Sequence, residues 1–145
     1  MEPSRIFELV NFVALIAWAL MIFTPHWKYT QKMVTTLVVP FILAVAYILI
    51  IAFCSTGSGF DFSSLAEIRN LFNNDYMLLA GWIHYLAFDL LVGCWILKKA
   101  FSENWPLYMS IPSLLFTFIM GPVGLFIFML TYFAKKKAWI TIGDR

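Results

Sequence analysis

Four long apolar runs, Ile6 to Phe23, Met33 to Phe53, Tyr76 to Leu97 and Ile111 to Phe133, leave this chain few ways to fold. Each holds 18 residues or more, and as a helix rising 1.5 Å per residue such a run crosses about 30 Å of hydrocarbon. Only 12% of the 145 residues are charged while 62% are hydrophobic, too few polar groups to clothe a soluble domain. The expectation is an all-α, polytopic membrane protein with four transmembrane helices packed as one bundle over residues 1–145. An even count of crossings would put both termini on one side. Ala17-Trp18-Ala19 has the small-x-small look of a leader cleavage site, but Glu2 and Glu8 flank Arg5 where a leader would be basic, so the first run reads as a retained helix. The protein is expected to be multi-pass, in the cytoplasmic membrane if its source is prokaryotic.

The connections carry their own signals. Thr24-Pro25-His26-Trp27-Lys28-Tyr29 closes the first run and places His26 among aromatic and basic groups at headgroup level. Pro40 is expected to kink the second run unless it lies in the first turn of its helix. Between Cys54 and Asp75, the residues Phe62, Leu65, Ile68, Leu71 and Phe72 recur at helical spacing, which predicts a short amphipathic helix on the membrane surface, as an anchor or as a lid. Gly121-Pro122-Val123-Gly124 sits inside the fourth run. There it should interrupt the backbone ladder and free carbonyls that need a partner in hydrocarbon, either at a cavity or at a kink with close packing. On a four-crossing path, Arg5, Arg69, Lys135, Lys136, Lys137 and Arg145 fall opposite Lys28, Lys32, Lys98 and Lys99, so charge fixes no orientation.

The third run carries chemistry that a membrane span normally avoids. Trp82-Ile83-His84-Tyr85-Leu86-Ala87-Phe88-Asp89-Leu90 places a carboxylate near mid-depth, where facing lipid would cost about 2.5 kcal/mol or more, so Asp89 must face protein or water. His84 precedes it by five residues and falls on a different side of the helix, with Phe88 and Leu91, whereas Asp89 shares a side with Trp82, Tyr85 and Gly93. Glu8 and Asn11, three apart, share a face of the first helix, and Asn11 suits a bond to a neighbouring helix. Asp89, His84 and Glu8 are the candidate acid/base residues; Asn11, Trp82, Tyr85, Gly121, Pro122 and Gly124 are candidate substrate contacts. A protonated carboxyl in an apolar pocket can deliver a proton to a substrate oxygen, and the same residue could equally be a hydrogen-bond clamp between helices.

Other functions lack support in the residues. Two histidines in different regions make no metal site, and neither a phosphate loop nor a CxxC pair is present, so no metal or cofactor is expected. A net charge of +2 with one short lysine run does not suit nucleic acid. Cys54 and Cys94 would lie near opposite faces, too far apart for a disulfide.

Phe7-Glu8-Leu9-Val10-Asn11, Pro25-His26-Trp27, the W-x-H-x-x-x-x-D-L pattern of residues 82–90 and Gly121-Pro122-Val123-Gly124 together resemble the family related to the plant abscisic-acid-deficient-4 protein. The resemblance runs from about Ile6 to Ala134. It implies a four-helix membrane protein required for neoxanthin formation, with conversion of an epoxy-carotenoid by epoxide opening and isomerisation to an allene. Membrane lipid and a carotenoid or other isoprenoid would be its partners, with a second copy or a pathway enzyme as further ones. A lipid-binding scaffold or a small transporter using Asp89 and the broken fourth helix are the rival readings.

Overall fold

The computed structural model describes residues 2–54 and 61–137, and every regular element among them is an α-helix. They are α1 (Pro3–Phe23), α2 (Lys28–Thr36), α3 (Val38–Cys54), α4 (Leu65–Phe72), α5 (Asp75–Ser102) and α6 (Leu107–Lys136). The helices α1, α5 and α6 are each long and apolar enough to cross a membrane, and α2 with α3 has that length only as a pair bent by 45°. Large apolar side chains such as Phe12, Phe41, Ile48 and Phe126 lie exposed on the outside, as a hydrocarbon surround allows.

Helix α5 is the post of the molecule and touches each of the other five. Asn74 starts it, its side-chain oxygen accepting from the amides of Tyr76 and Met77 at 2.9 and 3.2 Å. Helix α1 lies parallel to it: Phe7 meets Trp82, Met21 meets Cys94, and the His26 ring just beyond α1 meets Phe101 at 5.0 Å. Their closest approach is at Gly93, where a Cβ would stand 2.6 Å from the Trp18 ring. Helix α3 runs the other way, with Tyr47 against His84 and Ile51 near Met77.

The second apolar run differs from expectation. Its break falls at Leu37, in the left-handed region at φ 53°, and Pro40 sits in the first turn of α3, where its missing N–H costs nothing. The helix before the break begins at Lys28, so Lys28 and Lys32 are helical. The predicted surface helix exists as α4, capped by Ser64, whose hydroxyl accepts from the Glu67 amide at 3.2 Å. Phe72 anchors it on α5, its ring tip 2.7 Å from where a Cβ of Gly81 would be. Phe62 and Leu65 stay exposed. Cys94 is buried and free, and the side chain of Cys54 lies outside the described residues.

The fourth run is interrupted beside Gly121-Pro122, as its sequence predicts, and the interruption is a full reversal. Met120 has non-helical angles, φ −146° and ψ 67°. A straight helix would hold Met109 and Lys135 about 39 Å apart, yet Lys135 Nζ lies 3.7 Å from Met109 Sδ. A Cβ on Gly124 would overlap the Ser113 carbonyl and the Thr117 amide. Both facts require α6 to double back at Met120 into two limbs, residues 107–119 and 121–136, roughly 20 and 24 Å long. Ser110, Ser113, Thr117, Gly121 and Gly124 are buried, and small residues let two backbones pack this closely. Tyr132 and Lys136 at the far end of the second limb reach Glu103, just past α5, at 3.3 and 2.7 Å. Among the described residues the two ends do not share a side: Lys137 lies beside Glu103, at the opposite end of the bundle from Pro3.

Candidate functional site

A doubled-back helix exposes two cut ends of backbone, and α5 supplies a side chain to each. The first limb ends with carbonyls that have lost their intrahelical donors, partly because Pro122 has no N–H to give. The Tyr85 hydroxyl donates to one of them, the Ile119 carbonyl, at 3.2 Å. The second limb begins with free amides at the positive end of its dipole. There the Asp89 carboxylate takes the room a side chain on Gly121 would need: a Cβ would lie 2.7 Å from Asp89 Cγ. The Gly121 backbone and the Tyr85 hydroxyl are the polar groups that face this carboxylate. Tyr85 and Asp89 are four apart on α5, so one helical face meets both ends of the break.

Asp89 is 8% exposed, and its Oδ2 is buried without a hydrogen-bond partner among the described residues. A carboxylate oxygen left alone at mid-depth is costly unless a proton or a bound polar group accompanies it.

From this carboxylate an aromatic path leads toward the Asp75 end. Tyr85 stacks on Trp82 at 5.4 Å and Trp82 on Phe7 at 5.7 Å. The Trp82 indole N–H donates to Asn11 Oδ1 at 3.0 Å, which holds that ring on α1, while the Asn11 amide donates to the Phe7 backbone carbonyl at 2.7 Å. Phe7 and Trp82 then wall a groove of about 640 Å³ with Pro3, Phe72 and Leu78. The groove does not contain Asp89; Trp82 is the residue that joins it to the break.

The candidate residues thus divide. Asp89, Tyr85 and Gly121 meet at one point, with Trp82 and Asn11 one step away. His84 faces α3, its ring 5.7 Å from Tyr47 and 4.6 Å from Phe88, as its helical phase predicted. Glu8 is exposed on α1, in neither the groove nor the break. Pro122 lies exposed beside the break, and Gly124 closes the two limbs on each other. The sequence reading missed Met120 and the Ile119 carbonyl. The small-residue spacing of Ser110, Ser113, Thr117, Gly121 and Gly124 was the available signal. Among the described residues no three histidines, cysteines or carboxylates converge as a metal site would need.

The W-x-H-x-x-x-x-D-L segment and the Gly-Pro-Val-Gly break, which the sequence comparison singled out, are the two strands of this one site. A family profile covers both, matching residues 5–128. The chain belongs to the ABA DEFICIENT 4-like family. No curated protein and no solved structure matches it significantly. For an ABA DEFICIENT 4-like chain the matched span takes in α1 through the first half of the second limb of α6, and so the whole of the Asp89 site.

Proposed function

We propose that this protein binds a conjugated isoprenoid of the carotenoid class and isomerises it by proton transfer through Asp89. In this reading α1, the bent pair α2–α3 and α5 cross the bilayer, and the polyene lies along Phe7, Trp82 and Tyr85 with its oxygenated end at the break. Rings in a row, tilted 38–40° to one another, offer π-faces against which a flat conjugated chain can pack. The family to which the chain belongs connects it with neoxanthin formation, and an epoxy end group fits the chemistry available. Protonated Asp89 gives its proton to the epoxide oxygen as one C–O bond breaks and a hydroxyl forms. The carboxylate then takes a proton from the carbon next to the cation, whose electrons complete the allene. One proton enters and one leaves, so the step is an isomerisation that needs no redox partner. The unpaired Oδ2 is the observation that carries this reading, because a clamp on α6 explains the other oxygen only.

A structural role for Asp89 is the second reading, favoured by its place at the amides of the second limb. Asp89→Asn separates the two, since Asn keeps the volume and can still hydrogen-bond. Loss of a general acid lowers rate by about 10²- to 10⁴-fold. The purified Asn variant, incubated with an epoxy-carotenoid in detergent or bilayer discs, should melt near the parent and form product slower by that order. Full product formation by a folded Asn variant would remove Asp89 from the chemistry.

A further inference from the structure

The doubling back of α6 reassigns every charge at the ends of the molecule. Lys28 and Lys32 on α2, Lys98 and Lys99 at the end of α5, and Lys135 to Lys137 at the end of α6 all gather at the Glu103 end. Glu103 is the acid among them in the described residues. The opposite end, with Asp75, carries Glu2, Glu8, Asp61, Glu67 and Asp75 against Arg5 and Arg69. A straight fourth helix would have carried three lysines across and narrowed the difference to about +3 against 0. With the hairpin, the lysine end is close to +6 and the other close to −3 by formal charge among the described residues.

We propose that α6 is a re-entrant hairpin which enters and leaves the membrane on the lysine side, and that this end rests on the acidic phospholipid headgroups of the cytoplasmic leaflet. Short segments rich in Lys mark the cytoplasmic side of membrane proteins, and this rule now has an asymmetry to act on. The N-terminus then lies on the far side. The tip at Met120 stops near mid-depth beside Tyr85 and Asp89, halfway along α5, and its Ile119 and Met120 side chains are more than half exposed, which hydrocarbon tolerates and water would not. Trp105 and Tyr132 stack at 5.6 Å under the lysines, with Lys135 Nζ 4.9 Å over the Trp105 ring, an aromatic and basic layer of the kind found at headgroup depth. Anionic headgroups complement this layer, and attraction of exposed lysines to them falls off within a Debye length of about 8 Å in physiological salt.

Single cysteines test the path. In a Cys54→Ser background, Glu2→Cys, Ser63→Cys, Asn104→Cys and Lys137→Cys are expressed in bacterial cells and treated with a membrane-impermeant maleimide. Glu2→Cys and Ser63→Cys should react in intact cells, and Asn104→Cys and Lys137→Cys only after permeabilisation. Reaction of Asn104→Cys and Lys137→Cys from opposite sides would overturn the hairpin; the reverse pattern at all four would overturn the orientation. For the headgroups, the full chain is melted in bilayer discs of phosphatidylcholine with and without phosphatidylglycerol. A higher Tm with phosphatidylglycerol that vanishes in high salt is expected. No rise, or one that high salt leaves intact, overturns the headgroup contact. These outcomes do not depend on whether Asp89 is catalytic.

Discussion

Gly121 shows how one missing methyl group sets the site. The Asp89 carboxylate fills the place a Cβ of Gly121 would take, and Gly121→Ala would drive that Cβ to 2.7 Å from Asp89 Cγ and into overlap with Oδ1. Overpacking of this kind costs typically 1–3 kcal/mol, and the carboxylate must turn away from the break. Gly121→Ala should therefore lower the melting temperature and, if Asp89 carries the chemistry, product formation as well. Product formation at the parental rate in a destabilised Gly121→Ala protein would detach the reaction from this contact. The residue types at the site were legible because they are anomalies: a carboxylate in an apolar run, and a proline between glycines. Their meeting was not legible, since helical phase gives the side of α5 that Asp89 faces and says nothing of which helix covers it. Glu8 misled for the same reason, a polar residue at a helix end being indistinguishable in sequence from one that faces a site.

Elements follow the apolar pattern where length decides and depart from it where one backbone angle decides. Runs of this length had to become helices, and the ends of α5 follow from Asn74 and the polar residues after Ser102. The bend at Leu37 depends on a single residue of ordinary type that no spacing rule flags, whereas the reversal at Met120 adjoins Gly121-Pro122, which marks a break without saying how far the helix turns. What keeps the second limb of α6 folded against the first is partly the tie at its far end. Glu103 accepts Lys136 at 2.7 Å and Lys99 at 3.2 Å, and the Tyr132 hydroxyl at 3.3 Å. The Lys136 hydrogen bond holds the Glu103 carboxyl below its ordinary value of 4.5, with Lys99 adding to it. A depressed carboxyl contributes stability above its unfolded value and loses it as pH falls through its folded value. The tie should thus be intact at neutral pH and weaken below about 4.5. Relative to the intrinsic rate at each pH, protection of amides in residues 128–136 should fall in acid in the parent. In Glu103→Gln the same segment should be less protected at neutral pH, and its protection should change little on acidification. Equal acid response in both proteins would assign it elsewhere.

The whole molecule has a different cross-section at each depth. In the half toward Glu103, α1, the α2–α3 pair, α5 and both limbs of α6 stand side by side, whereas in the half toward Asp75, among the described residues, α1, α3 and α5 continue, with α4 packed on α5. Such a body is a wedge. It displaces more lipid from one leaflet than from the other, so it sits with least strain where the leaflet at its broad end is stretched around a convex surface. The outer leaflet of a small vesicle is such a surface, and purified protein reconstituted into vesicles of decreasing diameter should insert increasingly with Asn104 outward, as maleimide labelling of Asn104→Cys would count. Among the described residues no helix stands beneath the tip of α6 in the narrow half, alongside Phe7 and Trp82. A long flexible hydrocarbon could occupy that space without displacing any helix, so that the membrane itself forms the far wall of the chamber.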